Sequence, residues 1–179
     1  MKKMLQYAMV LSIICFAASF VLALTNKATK PVIEAYAKEE EKNALKMVMP
    51  LADSFEAKKI GSIQYYDAYK GKRLAGYCVK VNGSGYSGPI RMLVGITEAG
   101  VIQGVSVLSQ AETPGLGARI VEIKRGSKRP WFLQQFIGKN ATTISLDEID
   151  AITAATISSK AVVEGINTSV NSFLAKVKR

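Results

Sequence analysis

Leu74-Ala-Gly-Tyr-Cys-Val-Lys-Val81, Ile90-Arg-Met-Leu-Val-Gly-Ile-Thr97 and Val101-Ile-Gln-Gly-Val-Ser-Val-Leu108 follow one another in the middle of the chain. All three are rich in β-branched residues, and turn residues separate them, including Asn82-Gly83-Ser84-Gly85 and Glu98-Ala99-Gly100. Runs of this length between Gly-bearing turns predict strands joined by hairpins. A fourth run, Ser62 to Tyr69, precedes them across Lys70-Gly71-Lys72. Consecutive strands with short connections predict antiparallel β-meanders. After Ser109 the character changes to loops and helices. Pro130 to Phe136 suits a short helix, and Ser145-Leu-Asp-Glu148 has the form of a capping box. Val162, Val163, Ile166, Val170, Phe173, Leu174 and Val177 then recur at steps of three or four, the buried stripe of a final helix. Strands first and helices grouped later predict an α+β domain.

Upstream of the strands, Val32 to Met49 lacks Gly and Pro and is rich in Glu, Lys and Ala, which predicts a helix ended by Pro50. Its Glu39-Glu40-Glu41 run reads as a solvated face. Thr25 to Pro31 reads as a short polar linker. Before it, Met4 to Asn26 contains no charged residue. As a helix it would reach roughly 34 Å, enough to cross a bilayer core. Its apolar run exceeds the core of about 7–15 residues usual in a cleaved signal peptide, so a retained anchor is expected. The expected organisation is a tip and transmembrane anchor over 1–26, a linker and helix over 27–50, and one domain over 51–179. Lysines stand on both sides of the apolar segment, so charge bias leaves its orientation open.

Composition narrows the chemistry. The formal charge is +10, from 24 Lys and Arg against 14 Asp and Glu. The basic residues are scattered apart from Lys124, Arg125, Lys128 and Arg129, and no nucleic-acid-binding motif accompanies them, so no nucleic acid is expected. The chain has no histidine and only two cysteines, Cys15 and Cys78. His-based acid–base work and haem or metal sites built on His are therefore excluded, and one chain cannot supply four Cys to an iron–sulfur cluster. No metal site is expected. Any redox cofactor held by this chain must be organic.

The stretch Asp150-Ala-Ile-Thr-Ala-Ala-Thr-Ile-Ser-Ser159 opens the final helical pattern. Thr153, Thr156, Ser158 and Ser159 provide hydroxyls among small residues, at the place where a helix exposes unpaired N–H groups to an anion. The same residue types also serve as simple helix caps. Two further stretches exceed the needs of fold-building. Gly85-Tyr86-Ser87-Gly88-Pro89-Ile90 is a turn entering a strand, and Glu112-Thr113-Pro114-Gly115-Leu116-Gly117 is a rigid bend followed by two glycines.

In this order and spacing the three stretches resemble the FMN-binding domain shared by RnfG of the Rnf electron-transport complex and NqrC of the sodium-translocating NADH:quinone oxidoreductase. The resemblance covers nearly the whole chain and includes Val94-Gly95-Ile96-Thr97, Gly100-Val101-Ile102, and Trp131 with Gln135, Phe136 and Gly138. The family's flavinylation motif is matched by Asp150, Thr153, Ala154, Ala155, Thr156 and Ser158; Ala154 stands where Gly is commoner. Length and the lack of further apolar segments place the chain nearer RnfG than NqrC.

The resemblance implies FMN joined through its phosphate to the Thr156 hydroxyl, by a phosphodiester made by a separate flavin transferase. It implies that Ser158 and Ser159 hold the tethered phosphate. It also implies that Glu112, Thr113, Pro114, Gly115, Leu116 and Gly117 border the flavin, with Tyr86, Trp131 and Phe136 as aromatic candidates. The chain would be an electron carrier in a membrane-bound ion-translocating oxidoreductase, with no catalytic residues of its own. Its partners would be other membrane subunits, and its domain would face the outer side of the cytoplasmic membrane. Two alternatives are a free-standing membrane-anchored FMN reductase and a non-redox membrane-anchored binding module.

Overall fold

The computed structural model describes residues 2–177 and divides into a helical unit ending at Glu40 and a folded unit beginning at Glu41. Helix α1 runs without interruption over Lys2–Val48. The linker expected over Thr25–Pro31 is therefore helical. Pro31 sits inside α1, where a proline removes one backbone donor but need not end the helix when good helix formers flank it. Among the described residues α1 is the one helix long and apolar enough to cross a membrane, and the side chains from Lys3 to Glu40 are exposed.

The folded unit is built on a five-stranded sheet: β1 (Ser54–Ile60), β2 (Ile63–Lys70), β3 (Arg73–Ser84), β4 (Pro89–Ile96) and β5 (Ile102–Ser109). Every strand pairs antiparallel with its neighbour in chain order, the meander expected from the turn chemistry. The first strand, β1, has no counterpart in the sequence pattern. It lies at the edge, and most of its residues are exposed, so Ser-Phe-Glu-Ala-Lys-Lys-Ile carries no core-facing alternation.

Side chains alternate between two cores, as the period of two in a strand requires. Val79, Val81, Met92, Val94 and Ile96 face the larger core under helix α3 (Thr156–Val177). Cys78 and Leu93 face a smaller one, closed by Ala44, Leu45, Val48 and Met49 at the end of α1. Glycines set both distances. A Cβ on Gly83 would collide with the backbone carbonyl of Ala161, and one on Gly165 would meet the Gly83 Cα at 2.9 Å. On the opposite face, Gly95 and Gly104 leave room for the backbone of Val48. Glu41 fixes the α1 end by accepting from the Tyr66 hydroxyl and pairing with the Lys80 Nζ, each at 2.6 Å.

Helix α2 covers Trp131–Gln134, a shorter stretch than expected, and continues as turns to Phe136. The capping box is half formed. Ser145 caps a single 3-10 turn by accepting from Asp147 N, whereas Glu148 turns outward to Lys139.

Candidate functional site

The three motif stretches meet at one side chain. Glu112 follows β5, is 5 % exposed, and turns into the protein. Its Oε1 accepts from Ser87 N at 3.0 Å, and the backbone N–H groups of Tyr86 and Gly88 also point at the carboxylate. Its Oε2 accepts from the hydroxyl of Ser158, which is 2 % exposed on the first turn of α3. A carboxylate with several donors thus joins the β3–β4 turn, the Glu112–Gly117 bend and the start of the final helix. Burial alone would raise its pKa. The hydrogen bonds from Ser158, Ser87, Tyr86 and Gly88 outweigh burial and hold the carboxyl below its ordinary value.

Glycines on either side make this possible. A Cβ on Gly85 would strike Glu112 Oε1, and one on Gly117 would strike Ser158 Oγ and the Glu112 side chain. Gly115 adopts φ +77 with open space around it, as the bend after Pro114 requires. Thr113 O accepts from Leu116 N and Ala118 N, which closes the bend on itself. Leu116 is partly exposed at its tip, and Tyr86 is 74 % exposed on the neighbouring turn. Phe136 is fully buried in the larger core and is removed from the aromatic candidates. Trp131 is partly covered; Lys124 Nζ lies 4.0 Å from its ring centroid.

The flavinylation-like stretch presents Asp150, Thr153 and Thr156 as exposed residues, with Ala155 buried beneath them. Gln135 grips its entrance from the turns after α2. Its Oε1 accepts from Asp150 N at 2.7 Å, and its Nε2 donates to Asp150 O at 3.3 Å. Ala154 takes φ +61, the left-handed region that favours glycine, which accounts physically for the commoner residue there. This turn delivers the chain into α3 with Thr156 as its first residue.

The hydroxyls of Ser158 and Ser159, expected to face an anion, do not. Ser158 donates to Glu112; Ser159 Oγ accepts from Ile152 N at 3.0 Å and donates to Ala155 O at 3.1 Å. Both hydroxyls are consumed in holding the turn. What the helix start leaves open are the N–H groups of Thr156, Ile157 and Ser158, which donate to no group among the described residues. No acidic side chain lies in the first turn of α3. Three free donors, the positive end of a 22-residue helix, small neighbours and an exposed hydroxyl fit a phosphate. Among the described residues no group of three or more Cys, Asp or Glu side chains is arranged to hold a metal ion.

Sequence comparison identifies the family. One family model, an FMN-binding domain, matches residues 85–171, and another, the RnfG N-terminal region, matches residues 1–48. Over 96 % of its length the chain is 34 % identical to the RnfG subunit of the Na(+)-translocating ferredoxin:NAD(+) oxidoreductase complex of Acetobacterium woodii, covering 92 % of that protein. The chain belongs to the RnfG family.

Other members of that family are similarly close. The RnfG subunit of the proton-translocating ferredoxin:NAD(+) oxidoreductase complex of Clostridium ljungdahlii is 32 % identical over 89 % of the chain and 86 % of its own length. That of the ion-translocating oxidoreductase complex of Methanosarcina acetivorans is 31 % identical over 95 % and 94 %. Among solved structures, NqrC of Shewanella oneidensis matches with a TM-score of 0.52 at 17 % identity, over 72 % of each chain. The NqrC subunit of the Na(+)-translocating NADH-quinone reductase of Parabacteroides distasonis matches at 0.50 and 24 %, over 65 % of this chain and 62 % of that one. This likeness establishes that the RnfG-family chain shares the fold of those proteins.

Proposed function

We propose that this RnfG-family chain carries electrons within a membrane-bound ion-translocating oxidoreductase, through FMN bonded by its phosphate to Thr156. The single observation that carries the assignment is the exposed Thr156 at the mouth of α3 beside three unengaged N–H groups, inside the segment matched as an FMN-binding domain. When bound, FMN supplies the redox chemistry, and the protein supplies binding, orientation and electrostatics.

The chain's own part follows from its geometry. A threonine hydroxyl is a poor nucleophile unaided, and among the described residues no imidazole or carboxylate contacts that of Thr156. Attachment therefore needs a separate flavin transferase acting on FAD. The Thr156 oxygen forms the new bond to the FMN phosphorus as the bond to AMP breaks, and the hydroxyl proton leaves with the products. The exposed side chains of Asp150 and Thr153 lie on the same segment and serve as recognition elements for that enzyme. The N–H groups of Thr156, Ile157 and Ser158 then hold the phosphodiester. The exposed Leu116 and Tyr86 flank the ring, while Glu112, Gly117 and the Ser158 and Ser159 hydroxyls keep the surrounding segments in place. In this reading the α1 apolar segment is a single-pass anchor over the first 26 residues, and the folded unit faces the outer side of the cytoplasmic membrane. A tether of this kind keeps the cofactor from being lost there.

Denaturing gel electrophoresis of the full chain co-expressed with a flavin transferase tests the assignment. A fluorescent band that disappears in Thr156→Ala is the expected result. A band that persists in that variant moves the attachment site, and no fluorescence in either chain removes the flavin.

A further inference from the structure

An apolar cavity of the folded unit lies away from Thr156. It is an open channel of about 280 Å³, whose lining includes Met47, Val105, Val107, Ile123, Leu133 and Ile137. None of the three motif stretches contributes to it. Three further observations indicate what covers it. Met47, Val121, Ile123 and Ile137 are all substantially exposed, Ile123 at 56 %, so the channel continues as an apolar surface instead of closing over. One wall is β5, the last strand of the sheet. From Gly104 to Ser109 it forms ladder bonds with β4 alone, which leaves a strand edge free on the channel side. Finally, Lys128 and Arg129 line the rim, and Lys124 and Arg125 lie on the same loop. Among the described residues none of these four cations is within salt-bridge distance of a carboxylate.

We infer that this channel is the docking site for an extended, apolar segment bearing carboxylates, supplied by another subunit of the oxidoreductase complex. Apolar side chains of that segment fill the channel, its backbone runs along the open edge of β5, and its carboxylates meet the cationic rim. An unpaired edge beside an apolar trough is the arrangement that strand addition uses, with main-chain bonds for affinity and the trough for selection. The four cations add charge complementarity, which favours an acidic partner and disfavours a second copy of this chain, itself +10. A bilayer surface would satisfy the cations but leave the strand edge without hydrogen-bond partners. The inference rests on this chain being part of a complex, though not on flavin attachment.

The test uses the full chain in membranes containing the assembled complex, with a photo-crosslinking phenylalanine analogue at Ile123 or Ile137 and, as control, at Lys72 in the β2–β3 turn. The expected products from Ile123 and Ile137 are crosslinks to a peptide of another subunit that has at least two carboxylates beside apolar residues. Crosslinks to lipid only, to a second copy only, or at no more than the Lys72 level overturn the inference. In parallel, the double change Lys128→Glu with Arg129→Glu should reduce co-purification of the other subunits by about tenfold. Lys72→Glu with Arg73→Glu should not, and flavin fluorescence of the denatured chain should stay unchanged in both. Undiminished co-purification in the first variant rejects the acidic partner. Loss of flavin with the crosslinks intact counts against the cofactor assignment and leaves the docking site standing.

Discussion

At the scale of single residues, Glu112 does more for the site than its place in a flavin-bordering bend suggested. It is buried, and Ser158, Ser87 and neighbouring backbone donors depend on it. Glu112→Ala should strand those donors and lower stability by about 3 kcal/mol, read as a fall in the thermal midpoint of the full chain in detergent. The pH dependence has a definite sign. The folded-state pKa is depressed, so this carboxylate's contribution is complete above its ordinary value of about 4.3 and is lost as pH falls through the folded value. Glu112→Gln should therefore lose less stability than the parent on acidification below about pH 4.3. Ala154 works in the opposite direction: at φ +61 it is strained, and Ala154→Gly should raise stability by about 1 kcal/mol in the same melts. These roles were only partly visible in the sequence. The left-handed residue lies at the motif's one departure. The Glu112–Ser158 contact joins positions 46 apart, and no local pattern reports such a pair.

Among the elements, α3 and the close approach of its backbone to β3 decide where Thr156 stands. Gly83, Ala161 and Gly165 form that contact. Gly165→Val inserts a branched side chain against the Gly83 Cα and should cost about 1–3 kcal/mol, with a lower melting temperature of the full chain as the readout. The α3 stripe and the strands β2 to β5 were legible because their apolar residues follow one clear period each. Strand β1 was not, since an edge strand facing solvent needs no such alternation. The helical state of Thr25–Pro31 was hidden for a different reason. A proline and polar neighbours look like a linker, whereas a helix that continues on both sides can absorb one missing donor. The Gln135 grip on Asp150 left no sequence signal beyond the glutamine itself.

For the molecule as a whole, the chain separates an exposed apolar helix from a folded unit that begins at Glu41 and has two cores of its own. Removing residues 1–26 should release the protein from membranes while leaving the melting transition of the folded unit within about 1 °C, because none of its buried residues lies in that segment. A truncated chain that stays membrane-bound, or that melts far lower, would contradict this division. The functional assignment also belongs to this scale, since a protein without acid–base machinery acts by carrying a cofactor between partners.

The most direct measurement is the mass of the peptide that contains Thr156, isolated from the full chain matured with a flavin transferase. Attachment through the phosphate predicts an increase equal to one FMN less one water, localised by fragmentation to Thr156. An unmodified peptide, or the same increase on a different residue, would contradict it.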